Sequence, residues 1–151
     1  MLQTGIVDHA IDPSAVLSGF SSPEDGACVL FLGVVRNHNE GHAVVSVEYE
    51  AYREMAETVL EAIAGEAGDR FQTDRITVLH RIGDLEVGEV ATAIAVSTPH
   101  RAEAYEASRF IIEEIKRRLP IWKRERYPEG EGGWTRGHIP RPSASSGESD
   151  G

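Results

Sequence analysis

A chain of 151 residues with 40% hydrophobic residues is long enough for one domain with a real core. Its formal net charge of -10 gives an overall field that repels nucleic acid and anionic membranes, which excludes nonspecific binding to either. No apolar run approaches the roughly 18 to 20 residues of a membrane span, and the N-terminal MLQTGIVDHAID lacks the basic start and apolar core of a signal peptide, so a soluble, cytoplasmic protein is expected.

The predicted elements follow in chain order. A first strand covers Leu2 to Val7, and Asp12 with Pro13 signals the start of a short helix in DPSAVLSGF. Residues 27 to 36, ACVLFLGVVR, are apolar throughout and read as a strand buried on both faces. Cys28, the single cysteine, falls in this run and is expected to be a buried small hydrophobe; no disulfide or thiolate metal cluster is available. A polar loop, NHNEGH, leads into the alternating AVVSVEYEAY, a strand with Tyr49 and Tyr52 near its end.

A helix follows over residues 53 to 67, with Gly65, Gly68 and Asp69 as stop signals. Residues 75 to 98 give two strands around a glycine-containing loop. Ser97 or Thr98 should cap the next helix with Pro99 in its first turn, and the helix runs to Leu119, before Pro120. Ala104, Ser108, Ile111, Ile115 and Leu119 mark its buried stripe. After Pro120, IWKRERY alternates as a strand, with Ile121, Lys123, Glu125 and Tyr127 on one face and Trp122, Arg124 and Arg126 on the other. From about residue 140 the polar PRPSASSGESDG has no apolar face and should be disordered. Strands and helices without strict alternation imply a single α+β domain over residues 1 to 139, with a mixed, largely antiparallel sheet and packed helices.

The two lysines of the chain, Lys116 and Lys123, lie seven residues apart in KRRLPIWKRE, while arginine occurs thirteen times. Arginine is a permanent cation, whereas a lysine amine can be deprotonated by burial or neighbouring charge, so this placement marks a candidate site. Between Lys116 and Arg126 the chain carries +5, against -15 elsewhere. The helix macrodipole accounts for Arg117 and Arg118 but not for cations continuing along the next strand, which favours an anion-binding surface.

The other end of the helix begins at His100 and Arg101, where free N–H groups suit a phosphate or carboxylate. Sixteen residues of helix separate His100 from Lys116 by about 24 Å, so one small ligand can meet both only if a two-fold dimer supplies opposite helix ends. Arg36 opens the loop RNHN, a place for a catalytic side chain or for a cation paired with an acid. His38 and His42 have no third or fourth ligand at a metal-site spacing.

The segments FLGVVRNHN (31 to 39), VEYEAYREMA (47 to 56), VLHRIGDLEVGE (78 to 89), STPHRAEAYEAS (97 to 108) and KRRLPIWKRE (116 to 125) together resemble the catalytic, large-subunit family of molybdopterin synthase. The resemblance implies an α/β-hammerhead-like fold and a sulfurtransferase. It converts cyclic pyranopterin monophosphate to molybdopterin, with no permanently bound cofactor. Sulfur for the dithiolene comes from the C-terminal thiocarboxylate of a small ubiquitin-like partner ending in Gly-Gly, and a homodimer sits within a heterotetramer.

Position by position, the resemblance makes Lys116 and Lys123 the catalytic lysines. It adds Arg36, Arg124 and Glu125 to the substrate site, and His100 with Arg101 from the second protomer. Where the family often has a lysine this chain has Val34, so Val34 and Val35 could contact substrate only through backbone or packing. The alternative is a noncatalytic module binding phosphorylated ligands, which would need cations but not lysine in particular.

Overall fold

The computed structural model describes residues 2–136. In chain order the elements are β1 (Leu2–Val7), α1 (Pro13–Leu17), β2 (Ala27–Val34), β3 (His38–Asn39), β4 (His42–Ala43), β5 (Ser46–Ala51) and α2 (Arg53–Phe71). They continue as β6 (Ile76–Arg81), β7 (Gly83–Glu86), β8 (Val90–Thr98), α3 (Arg101–Arg118), β9 (Ile121–Tyr127), β10 (Gly130–Glu131) and β11 (Thr135–Arg136). The polar tail expected from residue 140 lies outside the described residues.

Two sheets organise the fold. The first has the order β1-β6-β8-β2, with β1 parallel to β6 and the other pairs antiparallel. The second, entirely antiparallel, has the order β10-β9-β5-β7, with β11 also on β9. Helices α2 and α3 pack on the first sheet. Ala56, Leu60, Ile63, Ala64 and Ala67 of α2 meet Ala107, Ile111 and Ile115 of α3 in a core that includes Ile76, Val78, Ile94 and Val96. A smaller core of Val35, Val44, Val47, Leu85 and Ala91 underlies the second sheet. The expected mixed, largely antiparallel α+β architecture is what forms.

Several expectations need correction. The strand buried on both faces is β8, whose residues 91 to 98 are all buried, and not β2. β2 is an edge strand paired only with β8, so its apolar side chains are mostly half-covered and Cys28 is exposed. α2 runs through Gly65 and Gly68 to Phe71 and stops at Gln72, which takes the left-handed conformation (φ 58°). Gly68 is there because a Cβ would lie 2.7 Å from the Thr73 carbonyl oxygen as the chain turns back. The loop NHNEGH is a small hairpin, turning at Glu40 and Gly41 with positive φ at both.

Residues 75 to 98 hold three strands rather than two, because the presumed loop contains β7, paired to β5. The N-cap of α3 is His100, which makes no side-chain cap bond; Thr98 Oγ1 instead donates to the His100 carbonyl at 2.6 Å.

Candidate active site

Strand β9 sets the site. Side chains alternate across a strand, and β9 lies between β5 and the short β10 and β11, so one face turns inward. Ile121 and Lys123 are both buried, Lys123 to 8% exposure, and the Glu125 side chain is exposed to only 12%. A lysine held this deep is rare without compensation. Lys123 Nζ lies 3.8 Å from Glu125 Oε2. That same oxygen accepts from Asn39 Nδ2 at 2.9 Å, and Tyr127 Oη donates to Glu125 Oε1 at 3.0 Å. Both carboxylate oxygens are thus engaged, and burial followed by the bond to Glu125 pushes the Tyr127 phenol upward.

The opposite face is used differently. Arg124 pairs with Glu48 at 2.8 Å and stacks over the Trp134 ring at 4.5 Å, while Arg126 pairs with Asp84 at 2.6 Å, Glu48 at 2.9 Å and Glu131 at 3.0 Å. In the last turn of α3, Arg117 pairs with Glu114 at 2.8 Å, and Arg118 bridges Glu114 at 3.0 Å to Glu66 of α2 at 2.8 Å. These four arginines of the basic segment are occupied by acids, which corrects the expectation of a continuous anion-binding surface. Arg124 faces away from Lys123, although it is its neighbour in sequence.

Lys116 sits half-buried in the last turn of α3, close enough to His80 of β6 for its charge to act on that ring. His80 is 5% exposed, and its pKa is lowered to about 4, chiefly by burial, with the Lys116 charge adding to the effect and the bond to the Arg81 carbonyl opposing it. The His80 ring meets the Tyr49 ring edge-on, with centroids 5.2 Å apart, and Tyr49 lies directly opposite Lys123 in the β5–β9 register. Leu119 and Pro120 turn the chain from α3 into β9, with Ile121 N–H donating to the Leu119 carbonyl at 2.8 Å. Tyr49 thus links the Lys123 position on β9 to the buried His80 ring on β6.

Val34, Val35 and Arg36 line the same small cleft as Tyr49, Lys123 and Glu125. A register shift at Gly33/Val34 ends β2 and carries the chain into this wall, where Val35 is held by Glu89 and Gly88 through backbone bonds of 3.0 and 2.9 Å. A much larger cleft of about 980 Å³ opens between β1 and α1, lined in part by Leu2, Ile11 and Arg75. It contains neither lysine nor any residue expected at the site, whereas the small cleft brings Lys123 and Glu125 together with Val34, Val35 and Arg36, although Lys116 is not among its lining residues.

His100 and Arg101 are exposed at the far end of α3 and do not join this cleft within one chain. Asn39 and Tyr127 bond to Glu125, Tyr49 stands opposite Lys123 and His80 packs on Tyr49, and none of these four was among the expected site residues. Tyr127 alone carried a local signal, since it shares the strand face of Lys123 and Glu125.

This is an α+β domain that buries one lysine, Lys123, beside the Glu125 carboxylate and holds the second, Lys116, half-buried at the end of α3, while the arginines between and around them pair with acids. Comparison with known proteins sharpens this. The sequence model described as "MoaE protein" matches residues 6–118, and the chain belongs to that family. The chain is 43% identical over 120 residues to molybdopterin synthase catalytic subunit 1 of Mycobacterium tuberculosis, covering 80% of this chain and 82% of that one. It is 48% identical over 122 residues to the molybdopterin synthase catalytic subunit of Pyrococcus abyssi, with coverage of 80% and 82%. The crystal structure of molybdopterin synthase from Staphylococcus aureus superimposes with a TM-score of 0.83 at 38% identity, covering 89% of this chain and 98% of that one.

Proposed function

We infer that this protein is the catalytic subunit of a molybdopterin synthase, a sulfurtransferase of molybdenum cofactor biosynthesis. The observation that carries the reading is the division of the basic segment: Lys123 is buried in the cleft beside Glu125 and Lys116 is half-buried at the end of α3, while Arg117, Arg118, Arg124 and Arg126 are paired with acids. A module that only binds anions would gain nothing from this arrangement.

The substrate is cyclic pyranopterin monophosphate and the product carries a dithiolene. Sulfur arrives as the C-terminal thiocarboxylate of a small ubiquitin-like subunit ending in Gly-Gly; the relatives' designation as catalytic subunits itself points to such a second component. A thiocarboxylate that gives up its sulfur takes an oxygen from water and leaves as a carboxylate, so each sulfur requires proton transfers at the reacting carbon. Lys116 and Lys123 act as general base or transient nucleophile, Glu125 orients Lys123, and Arg36 contacts the substrate from the cleft wall. Val34 and Val35 contribute packing and backbone. Arg124 contributes through the strand it braces, by its pairing with Glu48.

His100 and Arg101 bind the substrate's anionic group from a second protomer, which requires a homodimer within a heterotetramer, because about 24 Å of helix separates them from Lys116 of their own chain. No helix among the described residues is long and apolar enough to cross a membrane, and the reaction is assigned to the cytoplasm. The test is direct. The purified chain, mixed with the thiocarboxylated small subunit and the cyclic pterin, should yield the dithiolene product; binding of the pterin without any conversion would favour the noncatalytic module.

A further inference from the structure

Between Arg36 and β5 the chain makes the β3–β4 hairpin, and one side chain of that hairpin reaches the carboxylate beside Lys123. Asn39 pairs with His42 across the hairpin, next to the turn at Glu40 and Gly41. Asn39 Nδ2 lies 2.9 Å from Glu125 Oε2. An ionised carboxylate can only accept, so the amide nitrogen rather than the amide oxygen faces Glu125. That same Oε2 is the oxygen 3.8 Å from Lys123 Nζ, while Oε1 accepts from Tyr127 Oη at 3.0 Å. The other strand of the hairpin makes a second contact with this face of β9, the His42 ring lying 5.9 Å from the Tyr127 ring.

We propose that Asn39 is a positioning residue for sulfur transfer: by donating to Glu125 Oε2 it fixes the carboxylate that stands beside the Lys123 amine, and so fixes where that amine can act. A glutamate side chain turns about several bonds, and one donor at each oxygen removes that freedom. An amide suits the place because it is neutral. A cation there would form the ion pair itself and compete with Lys123 for Glu125. The hairpin is also held by backbone bonds, Val44 N–H to the Asn37 carbonyl at 2.9 Å and Val45 N–H to the Arg126 carbonyl at 2.8 Å. These bonds do not depend on the side chain at position 39, so a substitution there acts on Glu125 and leaves the Arg36 wall of the cleft in place. The inference rests on the molybdopterin synthase reading for the identity of the reaction, and on the Asn39–Glu125–Lys123 geometry for the role of the residue.

A double-mutant cycle separates action through Glu125 from a general loss of packing. With the full chain bound to the thiocarboxylated small subunit, Asn39→Ala should lower kcat about tenfold, as small misplacements of catalytic groups do. KM should stay within about twofold, the pattern of an interaction that matters in the transition state. Glu125→Ala should lower kcat at least as far. Adding Asn39→Ala to Glu125→Ala should then cost less than about twofold more, because the amide has nothing left to hold. If Asn39→Ala fails to fold, Asn39→Asp replaces it, since it keeps the side-chain shape and sets two carboxylates against one another. Its loss should likewise vanish beside Glu125→Ala.

A second readout needs no turnover. The chain has two lysines, so isotopic labelling of lysine Cε gives two NMR signals, which the Lys116→Arg variant assigns. The Lys123 signal should move in Asn39→Ala and in Asn39→Asp, while that of Lys116 stays in place. Wild-type kcat in the Asn39 variant, a loss that multiplies with that of Glu125→Ala, or an unmoved Lys123 signal would each overturn the proposal. A wild-type protein that makes no dithiolene would remove the functional reading instead, while the Lys123 signal would still decide whether Asn39 governs the surroundings of that amine.

Discussion

Tyr49 and Lys123 face one another across the β5–β9 pairing, and the ring of Tyr49 is also the surface on which His80 rests. Residues from three strands, β5, β9 and β6, thus meet there, so the geometry of the site depends on the junction between the two sheets rather than on one loop.

The contrast between Arg118 and Lys116, two residues apart on α3, is the simplest check on the division of the basic segment. Arg118 joins Glu114 and Glu66 at a partly exposed surface. Arg118→Ala should cost roughly 1 kcal/mol or less, an effect weakened further by salt, and leave sulfur transfer near wild type. Lys116→Ala should abolish transfer with little change in melting temperature. Comparable activity losses in the two variants would mean that the whole helix end, and not the lysine, matters.

The buried state of His80 predicts a specific dependence of stability on pH. Its folded pKa is lowered to about 4 from an ordinary value of 6.5. Between those values the unfolded chain binds the proton and the folded chain does not, so stability falls as pH drops through 6.5 toward 4. The full loss from this group is on the order of 3 kcal/mol. His80→Gln removes the contribution. The difference in melting temperature between pH 7.5 and pH 4.5 should therefore be smaller in that variant than in wild type, measured by calorimetry. An identical difference in the two proteins would show that the ring titrates normally.

Much of this arrangement could be read locally. Alternation in IWKRERY placed Ile121, Lys123, Glu125 and Tyr127 on one face, and that is the face that turns inward. The apolar stripe of α3 was legible at its spacings of three and four. Pairing was not: nothing within ACVLFLGVV says that β2 has a neighbour on one side only, which is why Cys28 looked buried and is exposed. Tyr49 and His80 were missed for the same reason, because Tyr49 reaches Lys123 and His80 reaches Tyr49 only through pairings between segments far apart in the chain. The arginine pairings were also hidden, since Glu48, Glu66 and Asp84 are scattered in sequence and converge only through the β5–β9, β5–β7 and α2–α3 contacts.

A composite site makes a prediction about mixed dimers. The homodimer carrying both His100→Ala and Arg101→Ala should be inactive, as should that of Lys116→Ala. A heterodimer of the two concentrates both lesions in one site and leaves the other whole, so up to about half of wild-type activity per dimer should return if the sites work independently. Isolation through two different tags and assay of the partner-bound heterodimer checks this. A folded but inactive heterodimer would place each site within one chain or couple the two sites. The loop that presents His100 offers a related handle, because Gly26 donates to the Thr98 and Pro99 carbonyls at 3.1 and 3.2 Å and a Cβ there would lie 2.8 Å from the Pro99 oxygen.

The central claim is that the amines of Lys116 and Lys123 carry the chemistry, beyond supplying positive charge. It is tested most directly by dithiolene formation in the double variant Lys116→Arg with Lys123→Arg, assayed as folded protein bound to the thiocarboxylated small subunit. Arginine keeps the charge but cannot be deprotonated near neutral pH. The variant should still bind the cyclic pterin and form no dithiolene, while wild type converts it fully. Turnover by the double variant at a rate near wild type would contradict the claim.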